Sequence, residues 1–331
     1  MAVEIRTNNI EPLRQSYAHL QRFQGKDKTA SRYLEGTVGL QMEVNFHYRP
    51  IWAPEFEIFD QGRTAVTAEN WYRYKDPRQF YYGTYTIARS KQSETVERNF
   101  TFLEQQQLLE KLPEAARTAI VECLLPFRHL EWGANMNSCT VVDYGWGAAV
   151  TQPFMFDAMD RLAIAQQLTR IGMLISDDPE PLLDEIRALW TDADYWQPLR
   201  RLVEDTFVIS DWFELFIAQK VAIDGLLLPL VYQQIVATID PGAGLPLAVN
   251  FLNDWLKESQ KWVDALVKFA VAENPQNAEL ITGWCHHWIA RVVDAMAPYL
   301  HHSMGDVGVA AAEDQQAVLF ARLKKAGVGN E

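Results

Sequence analysis

Residues 154–170 read FMFDAMDRLAIAQQLTR, and this stretch decides how the chain folds. Apolar and small side chains recur in it at spacings of three and four residues, which places them on one face of an α-helix. We therefore predict a helix over residues 137–175 that buries this face. The predicted buried positions are Phe154, Ala158, Leu162, Ala165, Leu168 and Gly172.

The sequence after residue 83 predicts further helices, because it shows neither the alternation of apolar and polar residues that is typical of strands nor the turn sequences of β-hairpins. Several of these helices exceed twenty residues, and Pro229 is expected to bend one of them. Two short helices after residue 175 form a long crossover, which is typical of a ferritin-like bundle. We predict an all-α, ferritin-like helical bundle with additional helices. The other predicted helices span residues 84–112, 113–132, 181–189, 195–207, 211–238, 247–272, 278–300 and 311–324.

The first 83 residues follow no helical or strand period, although they are rich in Trp, Tyr and Phe. Disordered segments are poor in aromatic residues. We therefore predict two regions: an extended, irregular, aromatic-rich arm over residues 1–83 and a helical domain over residues 84–331. The arm is expected to pack on the chain's own helices or on another subunit. Aromatic residues are also enriched at permanent interfaces.

Composition narrows the cellular setting. The net charge of −13 argues against nucleic acid as a partner. Three cysteines, Cys123, Cys139 and Cys285, cannot form a disulfide framework, which favours a reducing cytoplasm, and we expect Cys123 and Cys139 to be buried. The most apolar run, residues 221–231, is too short to span a bilayer and contains Asp224, so we predict a buried core helix and no membrane contact.

A carboxylate-bridged di-metal site in such a bundle needs a Glu-x-x-His pair on two helices. None of the seven histidines has an acidic residue three positions before it. The pairs His286-His287 and His301-His302 point in different directions on a helix, so we expect half-exposed helix faces there. Glu43 and His47 are predicted to make at most a surface contact.

Two further features have structural interpretations. Asp224 is a lone acid in an apolar run and could be a general base, but we expect it to pair with an arginine or a backbone donor. The G-x-G in DYGWGAAV, residues 143–150, does not follow a strand, so we assign it to helix packing rather than to nucleotide binding.

Three segments carry a resemblance to a known family. They are WYRYKDPRQFYYGTYTIARSKQSETVERNF at 71–100, the stretch from DRLAIAQQLTR to RRLVEDTF at 160–207, and DWFELFIAQKVAIDGLLLPLVYQQI at 211–235. Together with the chain length, they resemble the β subunits of bacterial multicomponent phenol hydroxylases. These belong to the soluble di-iron monooxygenase family and are close to the toluene/o-xylene monooxygenase β subunits. The resemblance covers nearly the whole chain.

In the catalytic α subunits of that family, one core helix carries Asp-Glu-x-Arg-His-x-Gln. Matching the final Gln to Gln166 places Asp160 on the Asp, Arg161 on the ligand Glu and Ile164 on the ligand His. A second core helix offers NDWLK at 253–257, where Asp254 matches a ligand Glu and Lys257 replaces the His. The resemblance therefore implies no metal ligand, no cofactor-binding residue and no catalytic residue in this chain.

The resemblance implies a non-catalytic structural β subunit of an α2β2γ2 hydroxylase that converts phenol and methylphenols to catechols with O2. The di-iron centre would lie in the partner α subunit. NADH, FAD and an iron–sulfur cluster would belong to a separate reductase, and a small regulatory protein would act on the complex. The β subunit would pack against α and stabilise the dimer.

Three alternatives remain open at this point. The chain could be a di-metal oxidase that uses only carboxylates, with Asp160, Glu214 and Asp254 as ligands. It could be a stand-alone helical protein that binds small molecules in an aromatic pocket. The complex could also act on toluene or xylene instead of phenol.

Overall fold

The computed structural model describes residues 30–43, 48–176, 178–242 and 244–329. Within these residues every regular element is helical, which confirms the predicted all-α bundle. Two 3-10 turns, Gln61–Arg63 and Trp71–Arg73, precede the long helices. The α-helices are α1 Arg32–Glu35, α2 Tyr82–Gln106, α3 Glu114–Cys123, α4 Phe127–Tyr144, α5 Ala148–Ile175, α6 Pro179–Asp192, α7 Gln197–Thr206, α8 Trp212–Ile239, α9 Gly244–Glu273, α10 Pro275–Met304 and α11 Val307–Lys325.

Two of the predicted helices are interrupted in the structure. The predicted helix over residues 113–132 ends at Cys123, and α4 starts again after Pro126, because proline cannot donate the backbone hydrogen bond of a continuing helix. The predicted helix over residues 137–175 is broken at residues 145–147. Gly147 has a φ of 81°, which a side-chain-bearing residue rarely adopts. The G-x-G motif therefore forms the turn between α4 and α5, and it is closely packed there, since a Cβ at Gly147 would lie 3.1 Å from the ring of Tyr72.

Helix α8 forms the centre of the bundle. It begins at the predicted cap Asp211, whose carboxylate accepts hydrogen bonds from the backbone N–H groups of Phe213 and Glu214. It contains two π-helical segments, Ile217–Ile223 and Leu230–Ile235, and the second follows Pro229. By length and composition α8 could cross a membrane, but its most apolar window is completely buried by the described parts of the chain. It is the predicted core helix.

Helix α5 buries most of the predicted face. Phe154, Ala158, Leu168 and Gly172 are buried as expected and Ala165 is half-buried, whereas Leu162 is 51% exposed. Part of the buried face consists of charged residues, and these are Asp157, Asp160 and Arg161. A spacing pattern built only from apolar residues could not place them, because a charged side chain is buried only when a partner elsewhere in the chain neutralises it.

The described part of the N-terminal region packs on the chain's own helices. Trp71 lies against Trp212 and Phe269, with ring centroids 5.4 and 5.9 Å away. The buried Tyr74 hydroxyl donates to the backbone oxygen of Trp262 at 3.3 Å. These contacts show that the described part of the N-terminal region packs on the chain's own helices, which is the first of the two possibilities that the sequence left open. The division into an arm and a helical domain at residue 83 stays a prediction.

Candidate functional site

Helices α4, α5 and α8 meet at a cluster of buried charged side chains. Glu131 comes from α4, Asp157 and Arg161 from α5, and Lys220 and Asp224 from α8. All five are at most 5% exposed. A spacing of four residues puts the two members from α5, and likewise the two from α8, on one side of their helix. We call these five residues the central ion cluster.

Arg161 connects the three carboxylates of the cluster. Its Nη1 donates to Glu131 Oε2 at 2.8 Å, its Nε to Asp157 Oδ2 at 3.3 Å, and its Nη2 to Asp224 Oδ2. The guanidinium also lies over the ring of Trp255, 4.6 Å from the centroid. Burial alone would lower the pKa of Arg161, but the three carboxylates raise it well above its ordinary value. Arg161 therefore carries a permanent positive charge in the middle of the bundle.

Lys220 bridges two of the same carboxylates. Its Nζ lies 2.6 Å from Asp157 Oδ1 and 2.7 Å from Asp224 Oδ2. The rings of Trp255 and Trp262 lie 5.1 and 5.6 Å from the same nitrogen. An ammonium ion held between two carboxylates from two helices occupies the place that a bridging cation would take. The π-helical segment Ile217–Ile223 carries this lysine.

Uncharged side chains supply the remaining hydrogen bonds to the three carboxylates. The Tyr232 hydroxyl donates to Glu131 Oε1 at 2.7 Å, and the Ser138 hydroxyl donates to Asp157 Oδ2 at 2.8 Å. Gln219 Nε2 donates to Asp224 Oδ1 at 2.9 Å. Every oxygen of the three carboxylates thus accepts at least one hydrogen bond or ion-pair contact, which offsets the cost of burying these charges.

The cluster contains three carboxylates and two cations, a formal sum of −1. Burial would raise the pKa of Asp157, but Lys220 and Arg161 hold it well below its usual range. For Glu131 burial outweighs the attraction of Arg161, and its pKa is raised. Burial, reinforced by Glu131, raises the pKa of Tyr232 well above 10, so its hydroxyl keeps its proton. This set of groups is suited to holding three helices together.

A second ion pair involves Asp160, which the family resemblance matches to the Asp of a metal-binding helix in the catalytic α subunits. Arg89 of α2 donates to both carboxylate oxygens of Asp160, each at 2.7 Å. Tyr85 and the indole N–H of Trp255 also donate to this carboxylate, at 2.8 and 3.0 Å. Arg89 in turn reaches Glu258 of α9 at 2.7 Å. Asp160 therefore links α2, α5 and α9 through protein donors alone.

The three carboxylates proposed for the alternative oxidase do not converge on one point. Asp160 is bound to Arg89, Glu214 accepts from the indole of Trp288 at 3.0 Å, and Asp254 is exposed. Lys257, the matched position on α9, is exposed as well. Within the described ranges, no group of three His, Cys, Asp or Glu side chains is arranged to hold a metal ion.

Most single-residue expectations can be compared with the structure. Asp224 pairs with an arginine, as predicted. The prediction that Cys139 is buried is wrong, whereas Cys123 is buried. Ile164 is buried and Gln166 is exposed. The histidine pairs lie on the exposed side of α10, on turns whose other side is buried, and His302 also stacks on Tyr195. The proposed contact between Glu43 and His47 cannot be followed, because His47 lies outside the described residues.

Sequence reasoning missed three members of the central ion cluster, Glu131, Asp157 and Lys220. A signal for two of them was present. Asp157 with Arg161, and Lys220 with Asp224, are opposite charges four residues apart in otherwise apolar helices. Such pairs normally mark a solvated face. When two apolar helices of the same bundle each carry such a pair, the pattern indicates that the charges are buried and neutralise each other inside the bundle. No comparable signal surrounds Glu131.

Comparison with known proteins finds similar hydroxylase components, two of which match this chain over almost its full length. A family model described as methane/phenol/alkene hydroxylase matches residues 52–274. The oxygenase component DmpL of phenol 2-monooxygenase from Pseudomonas sp. (strain CF600) is 42% identical, over 99% of this chain and 98% of that protein. The hydroxylase component subunit beta of the toluene-4-monooxygenase system from Ectopseudomonas mendocina is 26% identical, over 75% and 78%. A crystal structure of xenon-pressurised phenol hydroxylase from Pseudomonas sp. OX1 superposes with a TM-score of 0.90 at 40% identity, covering 98% of each chain, and its fold is ferritin-like.

Proposed function

This chain belongs to the methane/phenol/alkene hydroxylase family, as a hydroxylase subunit of a multicomponent monooxygenase, and we propose that it is the non-catalytic β subunit. In this proposal the chain is a scaffold that packs against a larger α subunit, in an assembly that also contains a γ subunit, with the stoichiometry α2β2γ2. The di-iron centre belongs to α. The assembly converts phenol and methylphenols to catechols, in the balance phenol + O2 + NADH + H+ → catechol + H2O + NAD+.

The observation that carries the proposal is the occupation of the bundle centre by the chain's own cations. A dinuclear site needs carboxylate oxygens with free lone pairs and imidazole ligands. Here the Lys220 ammonium and the Arg161 guanidinium already take up the oxygens of Asp157 and Asp224. A metal ion would have to displace two buried positive charges, which is electrostatically unfavourable.

The same cluster supports a structural role. Its ion pairs connect α4, α5 and α8, and the pair between Arg89 and Asp160 connects α2, α5 and α9. Hydrogen-bonded charge networks of this kind fix the relative position of helices when every member has a partner. A subunit that supports another protein's active site needs such a rigid body.

The reaction partners follow from the same proposal. Electrons from NADH would pass through a separate reductase that contains FAD and an iron–sulfur cluster, and a small regulatory protein would act on the hydroxylase. The complex would work in the cytoplasm, in agreement with the free thiols of Cys123, Cys139 and Cys285. None of these partners requires a catalytic group from the present chain.

The proposal is tested by producing the chain alone and together with the larger hydroxylase subunit. The chain alone and the intact complex are each purified under native conditions and analysed for iron. We expect the chain alone to contain less than about 0.1 iron per polypeptide and to form no catechol. Near-stoichiometric iron in the chain alone would contradict the proposal.

A matched variant separates the alternative oxidase from this proposal. Asp254→Asn removes one of the three carboxylates that the oxidase would need, at an exposed position where a structural effect is small. We expect the variant to leave hydroxylation by the complex unchanged. A large loss of activity with unchanged assembly would support a ligand role for Asp254.

The N-terminal arm of residues 1–83 is proposed to extend over the partner. Removal of residues 1–70 is expected to keep the helical content, because the central ion cluster lies wholly in α4, α5 and α8, and to abolish association with α. Circular dichroism measures the first effect, and size-exclusion chromatography of the co-expressed chains measures the second. An intact complex after this deletion would show that the arm is not needed.

A further inference from the structure

The core helix α8 contains two residues that destabilise the interior of an α-helix, Gly225 and Pro229. Both are buried. They are four residues apart, so they lie on the same side of α8. Helix α11 packs against α8 at Gly225. The contacts between these two helices explain why α8 tolerates both residues at this place.

A side chain of α11 supplies the hydrogen bond that the proline removes. Proline has no backbone N–H, so Pro229 cannot donate to the backbone oxygen of Gly225, four residues earlier. The Gln315 side-chain amide donates to this oxygen instead, with 2.9 Å between Nε2 and O. A buried backbone oxygen without a donor destabilises the folded chain. Gln315 therefore satisfies the oxygen that Pro229 leaves free.

The glycine allows α11 to approach close enough for this bond. A Cβ at residue 225 would lie 3.2 Å from Leu319 Cδ1 and 3.4 Å from Arg322 Nη2, so a larger residue would press against both side chains. Leu319 is buried. Gln315, Leu319 and Arg322 are spaced by four and three residues, which places them on one side of α11. This side of α11 lies against the bend of α8.

Arg322 also connects α11 to α9. Its Nε lies 2.9 Å from Asp264 Oδ1, and its side chain is 17% exposed. Burial lowers the pKa of Arg322, while the carboxylate of Asp264 opposes this change. The guanidinium keeps its charge, because its ordinary pKa lies far above neutral pH. The second half of α11 is therefore held by an ion pair with α9, and its middle is held by the hydrogen bond with α8.

The part of α8 that α11 supports lies beside the central ion cluster. Asp224 directly precedes Gly225, and Lys220 lies in the π-helical segment Ile217–Ile223 that ends just before them. The second π-helical segment, Leu230–Ile235, follows at once after the proline. The wider turns of a π-helix change which side chains face inward. The course of α8 at this bend therefore determines where its lysine and its aspartate meet the other members of the cluster.

We propose that α11 acts as a latch on α8, in which the Gln315 amide replaces the hydrogen bond that Pro229 removes and thereby holds the bend beside the central ion cluster. Every contact of this latch lies within the chain, so it does not depend on the assignment to a β subunit. Without the amide, the Gly225 oxygen is buried and has no donor. Helix α8 then opens more easily on both sides of the bend, although its apolar packing is unchanged.

A cycle of variants at residues 315 and 229 tests the replacement directly. Gln315→Ala should lower the Tm of the full chain by about 2–4 °C, because a buried oxygen loses its donor. Gln316→Ala changes the same residue type at the neighbouring position, which points in another direction, and should lower Tm by less than about 1 °C. In Pro229→Ala the new backbone N–H can donate to the Gly225 oxygen, so Gln315→Ala should lower Tm by less than about 1 °C there. An equal loss of Tm in both backgrounds would overturn the proposal.

Hydrogen exchange of the single variant locates the effect and does not require Pro229→Ala to fold. In Gln315→Ala we expect the amides of residues 217–235 to exchange at least about tenfold faster than in the unchanged chain, as measured by peptide mass spectrometry. Peptides of α6, which does not contact the bend, should exchange at the same rate in both chains and in Gln316→Ala. Faster exchange confined to α11, with α8 unchanged, would show that α11 only docks on the bundle and would overturn the proposal.

Discussion

Lys220→Met tests whether the central ion cluster holds the bundle together. Methionine has nearly the length of lysine, so the change removes the ammonium charge with little change in volume. Asp157 and Asp224 lose partners at 2.6 and 2.7 Å and keep only Arg161 as a counter-ion. The formal charge of the cluster falls from −1 to −2 in a region without access to water.

The expected magnitude follows from that loss. Breaking a buried ion pair by removing one partner costs about 3–5 kcal/mol of unfolding free energy. With an unfolding entropy of about 2.1 cal/mol/K per residue, a chain of this length loses about 0.7 kcal/mol per degree, so Tm should fall by about 4–7 °C. Differential scanning calorimetry of the isolated chain measures this shift. Lys257→Met, at an exposed position of α9, is the matched control and should change stability by less than about 0.5 kcal/mol.

A double variant identifies the cause. Lys220→Met combined with Asp157→Asn removes one cation and one carboxylate, which returns the formal charge to −1. The double variant should therefore be less destabilised than the sum of the two single variants by about 1–3 kcal/mol. Strict additivity, or a Lys220→Met chain as stable as the unchanged one, would refute the reasoning.

Three further predictions concern the surroundings of the cluster. Burial, assisted by nearby arginines, lowers the pKa of His129 from 6.5 to about 4, so the unfolded chain takes up the proton before the folded chain does. The stability of the folded chain is therefore full above pH 6.5 and declines between pH 6.5 and pH 4. The variant His129→Gln should flatten the dependence of Tm on pH in that range. Gly133→Ala places a Cβ 2.6 Å from Val203 Cγ1 and should lower the unfolding free energy by about 1–3 kcal/mol in urea titrations. Arg89→Lys loses the bidentate contact with Asp160 and should destabilise the chain less than Arg89→Ala, which costs about 3 kcal/mol; equal effects would contradict the importance of that geometry.

The sequence predicted the fold class well because helix periodicity and breaking residues are local signals. The crossover helices, the cap at Asp211 and the stop at Asn274 are confirmed as structural features. The breaks before Phe127 and at Gly147 were missed, since a proline or glycine within an apolar run is compatible with either a bend or a break.

The centre of the bundle could be predicted only in part. The match of Arg161 to a metal-ligand position indicated a positive charge inside the fold. Its partner Glu131 could not be identified, because pairing across helices depends on a register that one sequence does not give. Asp157 lies four residues before Arg161 on the same helix, and that local signal was missed. Lys220 lies in a π-helical segment, whose wider turn changes which side chains face inward. Asp254, which was matched to a metal ligand on α9, is exposed, and the next residue, Trp255, faces the cluster instead. The match of the two sequences did not show which of these neighbours points inward.

The iron content of this chain, measured after separation from its co-purified partner, tests the central claim most directly. Because Arg161 and Lys220 neutralise the buried carboxylates, we predict that iron stays with the larger subunit and that the present chain retains less than about 0.1 iron per polypeptide under native separation. One or two iron ions bound to this chain, with spectra of a dinuclear centre, would contradict the account.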